Sequence, residues 1–192
     1  KAKSLTWFMQ ESGAVTRDEL AQLLQVLNKV ETGKGLMKRM VLSGHSGGES
    51  IEGDAGQAIE FSHIAKLNKI FPIAFGQVED LMISGCNTGH IKLLDQYRAM
   101  FPNIKTIWAY AGYSPAGTHA GGSPVHIEKW NKGSKGRGDG NLDKGREQLS
   151  KRNQKNDKNV AIWSKSGGYQ TDSPEAGADL AEVVQDLVDN ER

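Results

Sequence analysis

Two short segments carry residues whose types and setting suit nucleophilic chemistry. Gly44-His45-Ser46-Gly47-Gly48 closes one apolar run, and Ser84-Gly85-Cys86-Asn87-Thr88-Gly89 closes another, with Cys86 41 residues after His45. A cysteine attacks as its thiolate, and a nearby imidazole favours that ionised form. The flanking glycines let the backbone turn sharply and let a substrate chain come close. Cys86 is expected just ahead of a helix, whose N-terminal dipole would favour the thiolate further. The backbone amides of Cys86 and of Ser46 or Gly47 are candidates to receive the oxyanion of a tetrahedral intermediate. Tyr110 and Tyr113 follow another strand end and are expected to line the same crevice.

Each residue also has a plainer reading. A lone cysteine is more often a small buried hydrophobe, and a lone histidine a surface or core group. The weight therefore rests on the two segments together. Gly44 to Gly48 also fits G-x-S-x-G, in which Ser46 would be the nucleophile and His119 or His126 the later base. Only about one strand and one helix precede that segment, too little for the usual sheet, and Ser84-Gly85-Cys86 would be left without a role. A third reading is a non-catalytic α/β module that binds a partner. His63 and His90 are expected on helix surfaces. No Cys/His cluster suggests zinc, and neither G-x-x-x-x-G-K-[ST] nor G-x-G-x-x-G occurs, so no metal, nucleotide or other cofactor is implied.

The elements that would position these residues alternate along the chain. Ser4 to Met9 reads as a first strand. Thr16 and Glu19 form a capping box ahead of Leu20, Leu23, Leu24, Leu27 and Val30 at helical spacing, with Gly33 and Gly35 ending that helix. Met37 to Ser43 is the strand that delivers His45, and Glu49 to Gln57 reads as loop. A helix over Ser62–Phe71 stops at Pro72. Leu81-Met82-Ile83 is the strand that delivers Cys86, and the helix after it turns Ile91, Leu94, Tyr97 and Phe101 inward. Thr106–Tyr110 and Val160–Trp163 read as further strands, and Ser173-Pro174 opens a last helix. This rhythm predicts an α/β fold, with a mostly parallel sheet carrying helices on both faces. In such sheets ligands bind outside the carboxyl ends of the strands, the edge that both segments leave.

The 192 residues suit a single domain, and one cysteine rules out an internal disulfide. A net charge of +1 gives no general pull toward nucleic acid or a membrane surface, and no apolar run approaches the ~20 residues of a membrane span. A protein or peptide is the expected partner. The oligomeric state is left open, and so is the compartment, with the cytoplasm the default expectation. The chain opens on Lys1-Ala2-Lys3 with no signal-peptide h-region, and its first residue is not read as a native terminus. From Asn131 to Lys158 nine basic residues face four acidic ones among many glycines, which predicts a flexible basic surface loop within the domain.

The order "VLSGHSGG", a helix "FSHIAKL", then "VEDLMISGCNTG" and "TIWAYAGYSPAG" resembles the caspase-like cysteine peptidases. Within them it is most similar to the CHAT branch, related to separase, and more distantly to clostripain, gingipain and the caspases. The resemblance covers about Lys38 to Trp130. It implies a three-layer αβα sandwich and a cysteine endopeptidase. His45 matches the family's catalytic histidine and Cys86 its nucleophile, and cleavage falls on the carboxyl side of a specific P1 residue. Two departures bear on this. Ser46 intervenes where the family pattern runs His-Gly, so the amide that serves the oxyanion is not specified. Clostripain-like members carry an acidic residue two before the cysteine to recognise a basic P1 side chain, and Ser84 stands there. Asp54, after His45, is the nearest acidic substitute. Caspase-like peptidases are often activated by cleavage in an exposed linker, which makes the basic segment 131–158 a candidate for self-cleavage.

Overall fold

The computed structural model describes residues 16–52, 58–114, 128, 130, 131, 142, 159–171 and 173. In chain order the elements are α1 (Thr16–Glu31), β1 (Arg39–Ser43), β2 (Ser50–Glu52), β3 (Ala58–Glu60), α2 (Phe61–Ile70), α3 (Pro72–Gln77) and β4 (Asp80–Ser84). They continue with α4 (Ile91–Met100), β5 (Thr106–Tyr110), β6 (Val160–Ser164) and β7 (Gly168–Thr171). The main sheet has the order β1-β4-β5-β6-β7, and β2 pairs with β3 in a separate small hairpin. β1, β4 and β5 pair in parallel, β6 runs against them, and β7 turns back against β6. Four of the five strands thus point the same way, and the architecture is α/β as expected.

Side chains alternate across a strand, so each strand feeds two cores. Met40, Leu42, Leu81, Ile83, Ile107 and Ala109 face one side, where Leu27 and Val30 of α1, Ile64 of α2, Phe75 of α3 and Leu94 and Tyr97 of α4 cover them. The connecting helices α2, α3 and α4 share that side because β1, β4 and β5 are laid down in one direction, and α1, which precedes β1, packs there through Leu27 and Val30. Right-handed crossovers in a single direction place every connecting helix on the same face. Val41, Met82, Trp108, Tyr110, Val160 and Ile162 face the other side and pack with Trp130 and Leu142. Glu128, Trp130, Asn131 and Leu142 are helical, which supplies the third layer.

One buried ion pair ties that layer to the sheet. Arg39 Nε lies 2.5 Å from the Asp80 carboxylate on the neighbouring strand, with both side chains largely buried. The guanidinium stacks 3.7 Å from the Trp130 ring centroid and donates to Asn131. Thr106 donates its hydroxyl to the other Asp80 oxygen. This network occupies the N-terminal edge of the sheet, opposite the edge that carries His45 and Cys86.

Several elements differ from the sequence expectation. The segment read as loop after Gly48 holds β2, because Ile51 is buried and pairs across to Ile59. Pro72 does more than stop a helix: at the first position of α3 its fixed φ starts one, and Ala74 and Phe75 are buried. β7 was not anticipated; it returns through a three-residue turn, Lys165 to Gly167, with Ser164 paired to Gly168. The first expected strand, and the last helix beyond Ser173, lie outside the described residues. So does most of 131–158, and its two described positions, Asn131 and Leu142, are helical. No described helix is long and apolar enough to cross a membrane.

Candidate active site

β1 and β4 are hydrogen-bonded neighbours whose register aligns Ser43 with Ser84. His45 and Cys86 each stand two residues beyond that aligned pair, so their loops leave the same edge of the sheet side by side. Gly44 donates its N–H to the Ser84 carbonyl at 3.2 Å and carries the pairing past the strand ends.

The two loops interlock. A Cβ at Gly85 would sit 2.8 Å from Cβ of Ser46, 3.1 Å from Cδ1 of Ile51 and 3.2 Å from Cγ2 of Thr88, so only glycine lets the Ser46 loop close onto the Cys86 loop. The β2 strand presses equally close on the other glycine: a Cβ at Gly44 would lie 2.5 Å from the Glu52 carbonyl oxygen. His45 and Glu52 exchange backbone hydrogen bonds of 3.0 and 2.7 Å, fixing the main chain of His45 against β2 while its side chain stays exposed. The Ser46 hydroxyl accepts the Gly48 N–H at 2.9 Å. β1 is followed by this hairpin and not by a helix, so Ser46 lacks the strand–turn–helix setting of a nucleophile elbow.

Cys86 is half-buried and lies in a tight turn. Asn87 takes a φ of 56°, a left-handed conformation that asparagine tolerates better than most residues, and donates its N–H to the Gly112 carbonyl at 2.8 Å. The buried Thr88 hydroxyl lies 2.9 Å from the Gly85 carbonyl and 3.2 Å from that of Ile83, closing the turn from inside. The Cys86 sulfur meets Ser114 twice, with the backbone N–H 3.4 Å away and the hydroxyl 3.6 Å away. Among the described residues these are its hydrogen-bond contacts, and His45 is not one of them. The expected helix-dipole contribution needs correction. α4 begins at Ile91 with His90 as its N-cap, so the first helical residue is five positions beyond Cys86. A dipole effect confined to the first turn fades over that separation.

No family model matches the chain, and no curated protein or solved structure matches it significantly. The site is therefore read from its own geometry.

The expected oxyanion donors Ser46, Gly47 and Cys86 make no backbone N–H bond to a described residue, whereas the amide of neighbouring Gly48 donates to the Ser46 hydroxyl. Two expected substrate contacts fall inside the protein. Ser84 is the last residue of β4 and is buried. Tyr110 is the last residue of β5, and strand alternation turns its ring into the core with Trp108 and Met82. Burial pushes its hydroxyl pKa well above the ordinary tyrosine value. Tyr113 is exposed beside Ser114. Asp54, His119 and His126 lie outside the described residues. His63 is exposed, and its Nδ1 accepts the Glu60 N–H at 3.2 Å to cap α2. Sequence reasoning missed Ser114 and Asn159. The second is fully buried ahead of β6, and its amide donates to the Tyr113 carbonyl at 2.6 Å. Neither belongs to a local pattern that could have marked it. Among the described residues no three His, Cys, Asp or Glu side chains converge as a metal site requires.

Proposed function

We propose that the chain is a cysteine endopeptidase in which Cys86 is the nucleophile and His45 its proton-transfer partner. The observation that carries this reading is the Ser43–Ser84 register, which sets the two loops on adjacent strands at one sheet edge. The contact of Ser46 with Gly85 then holds them together. In the reaction, the Cys86 thiolate attacks the scissile carbonyl carbon. The amides of Cys86 and Gly47, both without other partners among the described residues, receive the oxyanion. The histidinium of His45 gives its proton to the leaving amine as the C–N bond breaks. Neutral His45 then takes a proton from water, which attacks the thioester and releases the acid and the thiolate. Exposure of His45 and Tyr113 leaves the mouth of the site open to an extended chain. The segment 131–158 is proposed as a site of self-cleavage.

A peptide library resolved at P1, assayed with wild type and Cys86→Ala, tests the assignment. The expected result is hydrolysis after a restricted set of residues, reduced at least ~10³-fold in the variant. Full activity in Cys86→Ala would refute it, and wild-type inertness across the library would favour the non-catalytic module.

A further inference from the structure

We infer that Ser114 is a positioning residue for the Cys86 thiolate, holding the sulfur with two donors from one side chain and its own amide. The inference rests on the reading of Cys86 as the nucleophile. The Ser114 N–H and hydroxyl reach the sulfur at 3.4 and 3.6 Å, lengths suited to an acceptor of sulfur's radius. Hydrogen bonds donated to an ionised group favour the ionised form, and two converging donors also fix the side-chain rotamer. Such help is needed here, because α4 starts too far from Cys86 for its dipole to act strongly on the sulfur.

The segment that presents Ser114 is itself braced at successive residues. Ala111 donates to the Asn159 carbonyl at 2.7 Å, the Gly112 carbonyl accepts from Asn87 at 2.8 Å, and the Tyr113 carbonyl accepts the Asn159 amide at 2.6 Å. Two of these bonds run to the fully buried Asn159 and one to the turn of Cys86 itself. Ser114 therefore follows three anchored residues, and its position relative to the sulfur is set by β6 and by the nucleophile turn together. Among the described residues, the titratable groups on the segments around the sulfur are His45, Glu49 and Glu52 on the β1 side, His90 ahead of α4, and Tyr113. A change at Ser114 removes none of them.

Because the chain has one cysteine, alkylation of the intact protein by iodoacetamide reads Cys86 alone. The rate is followed from acid to alkaline pH for wild type, Ser114→Ala and Ser114→Thr. Ser114→Ala is expected to react about tenfold more slowly near neutral pH, the effect of one hydrogen bond to the charged form. The deficit should close at alkaline pH, so that its profile lies at higher pH than that of wild type. Ser114→Thr, which keeps the hydroxyl, should restore the wild-type profile. Superposable profiles for Ser114→Ala and wild type would overturn the inference, as would a threonine variant that behaves like the alanine one. Peptide hydrolysis is measured in parallel with Cys86→Ala. Hydrolysis surviving in that variant removes the nucleophile reading, whereas loss of hydrolysis with an unmoved Ser114→Ala profile removes only the role of Ser114.

Discussion

Gly85→Ala is the sharpest probe of how the two loops are held together. The added methyl would lie 2.8 Å from Cβ of Ser46, closer than carbon atoms pack, while also meeting Ile51 and Thr88 at 3.1 and 3.2 Å. Ile51 and Thr88 are buried and close the other sides, so the expected relief is a shift of the Ser46 loop away from the Cys86 turn. Overpacking of this kind costs about 1–3 kcal/mol of stability. On the proposed peptidase reading, a displacement of ~1 Å between His45 and Cys86 lowers turnover by about 10²-fold, well beyond what the stability loss alone would cause in a protein that stays folded. Gly76→Ala is the matched control, since a Cβ there meets nothing within 4 Å. It lies within α3, where replacing glycine by alanine is neutral or stabilises by up to ~1 kcal/mol. Urea unfolding and peptide hydrolysis are measured on both variants. A Gly85→Ala protein with wild-type stability and wild-type turnover would show that the Ser46 loop is not packed on Gly85 and would refute the reasoning.

The remaining predictions concern the scaffold. Arg39→Ala removes one partner of the buried pair with Asp80 and strips Trp130 and Asn131 of their shared contact, so urea unfolding should show a loss of about 3–5 kcal/mol. A loss below ~1 kcal/mol would mean that the ion pair does not anchor the third layer. Glu79 has its pKa lowered mainly by the hydrogen bond from Lys105, with Lys38 contributing on its other side. Its contribution to stability is complete above the ordinary carboxylate value and is lost as pH falls through the lowered folded value. The stability difference between wild type and Glu79→Gln should therefore vanish on acidification and shrink in high salt, since all three side chains are substantially exposed. A difference that persists in strong acid would contradict the assignment.

Local patterning was a good guide to the elements and a poor one to their partners. The apolar runs around Val41, Met82 and Trp108 announced strands, and the helical spacing of Leu23, Leu27 and Val30 announced α1, because those signals are written in consecutive residues. Tyr110 was expected at the crevice because it stands at a strand end, but alternation sends its ring to the same buried face as Trp108. The β2–β3 hairpin was missed because one buried side chain, Ile51, against the partly buried Ile59 is too short a pattern to stand out from polar loop. Ser114 and Asn159 left no mark at all, since each acts through a contact with a residue far along the chain.

His45 and Cys86 mark the boundary between the two kinds of knowledge. That each follows a short apolar strand among glycines is a property of the sequence alone, since strand, turn and glycine are local choices of the backbone. That the two strands are neighbours, aligned Ser43 to Ser84, is a property of the fold. Register depends on which buried faces meet across some forty residues of intervening chain, and no local propensity encodes it. The same is true of what surrounds the sulfur. The helix expected to favour the thiolate begins too late, and Ser114, brought over by β5 and braced by Asn159, stands there in its place. Residue type and strand-end setting are written locally along the chain, whereas strand pairing alone puts the loops of His45 and Cys86 side by side.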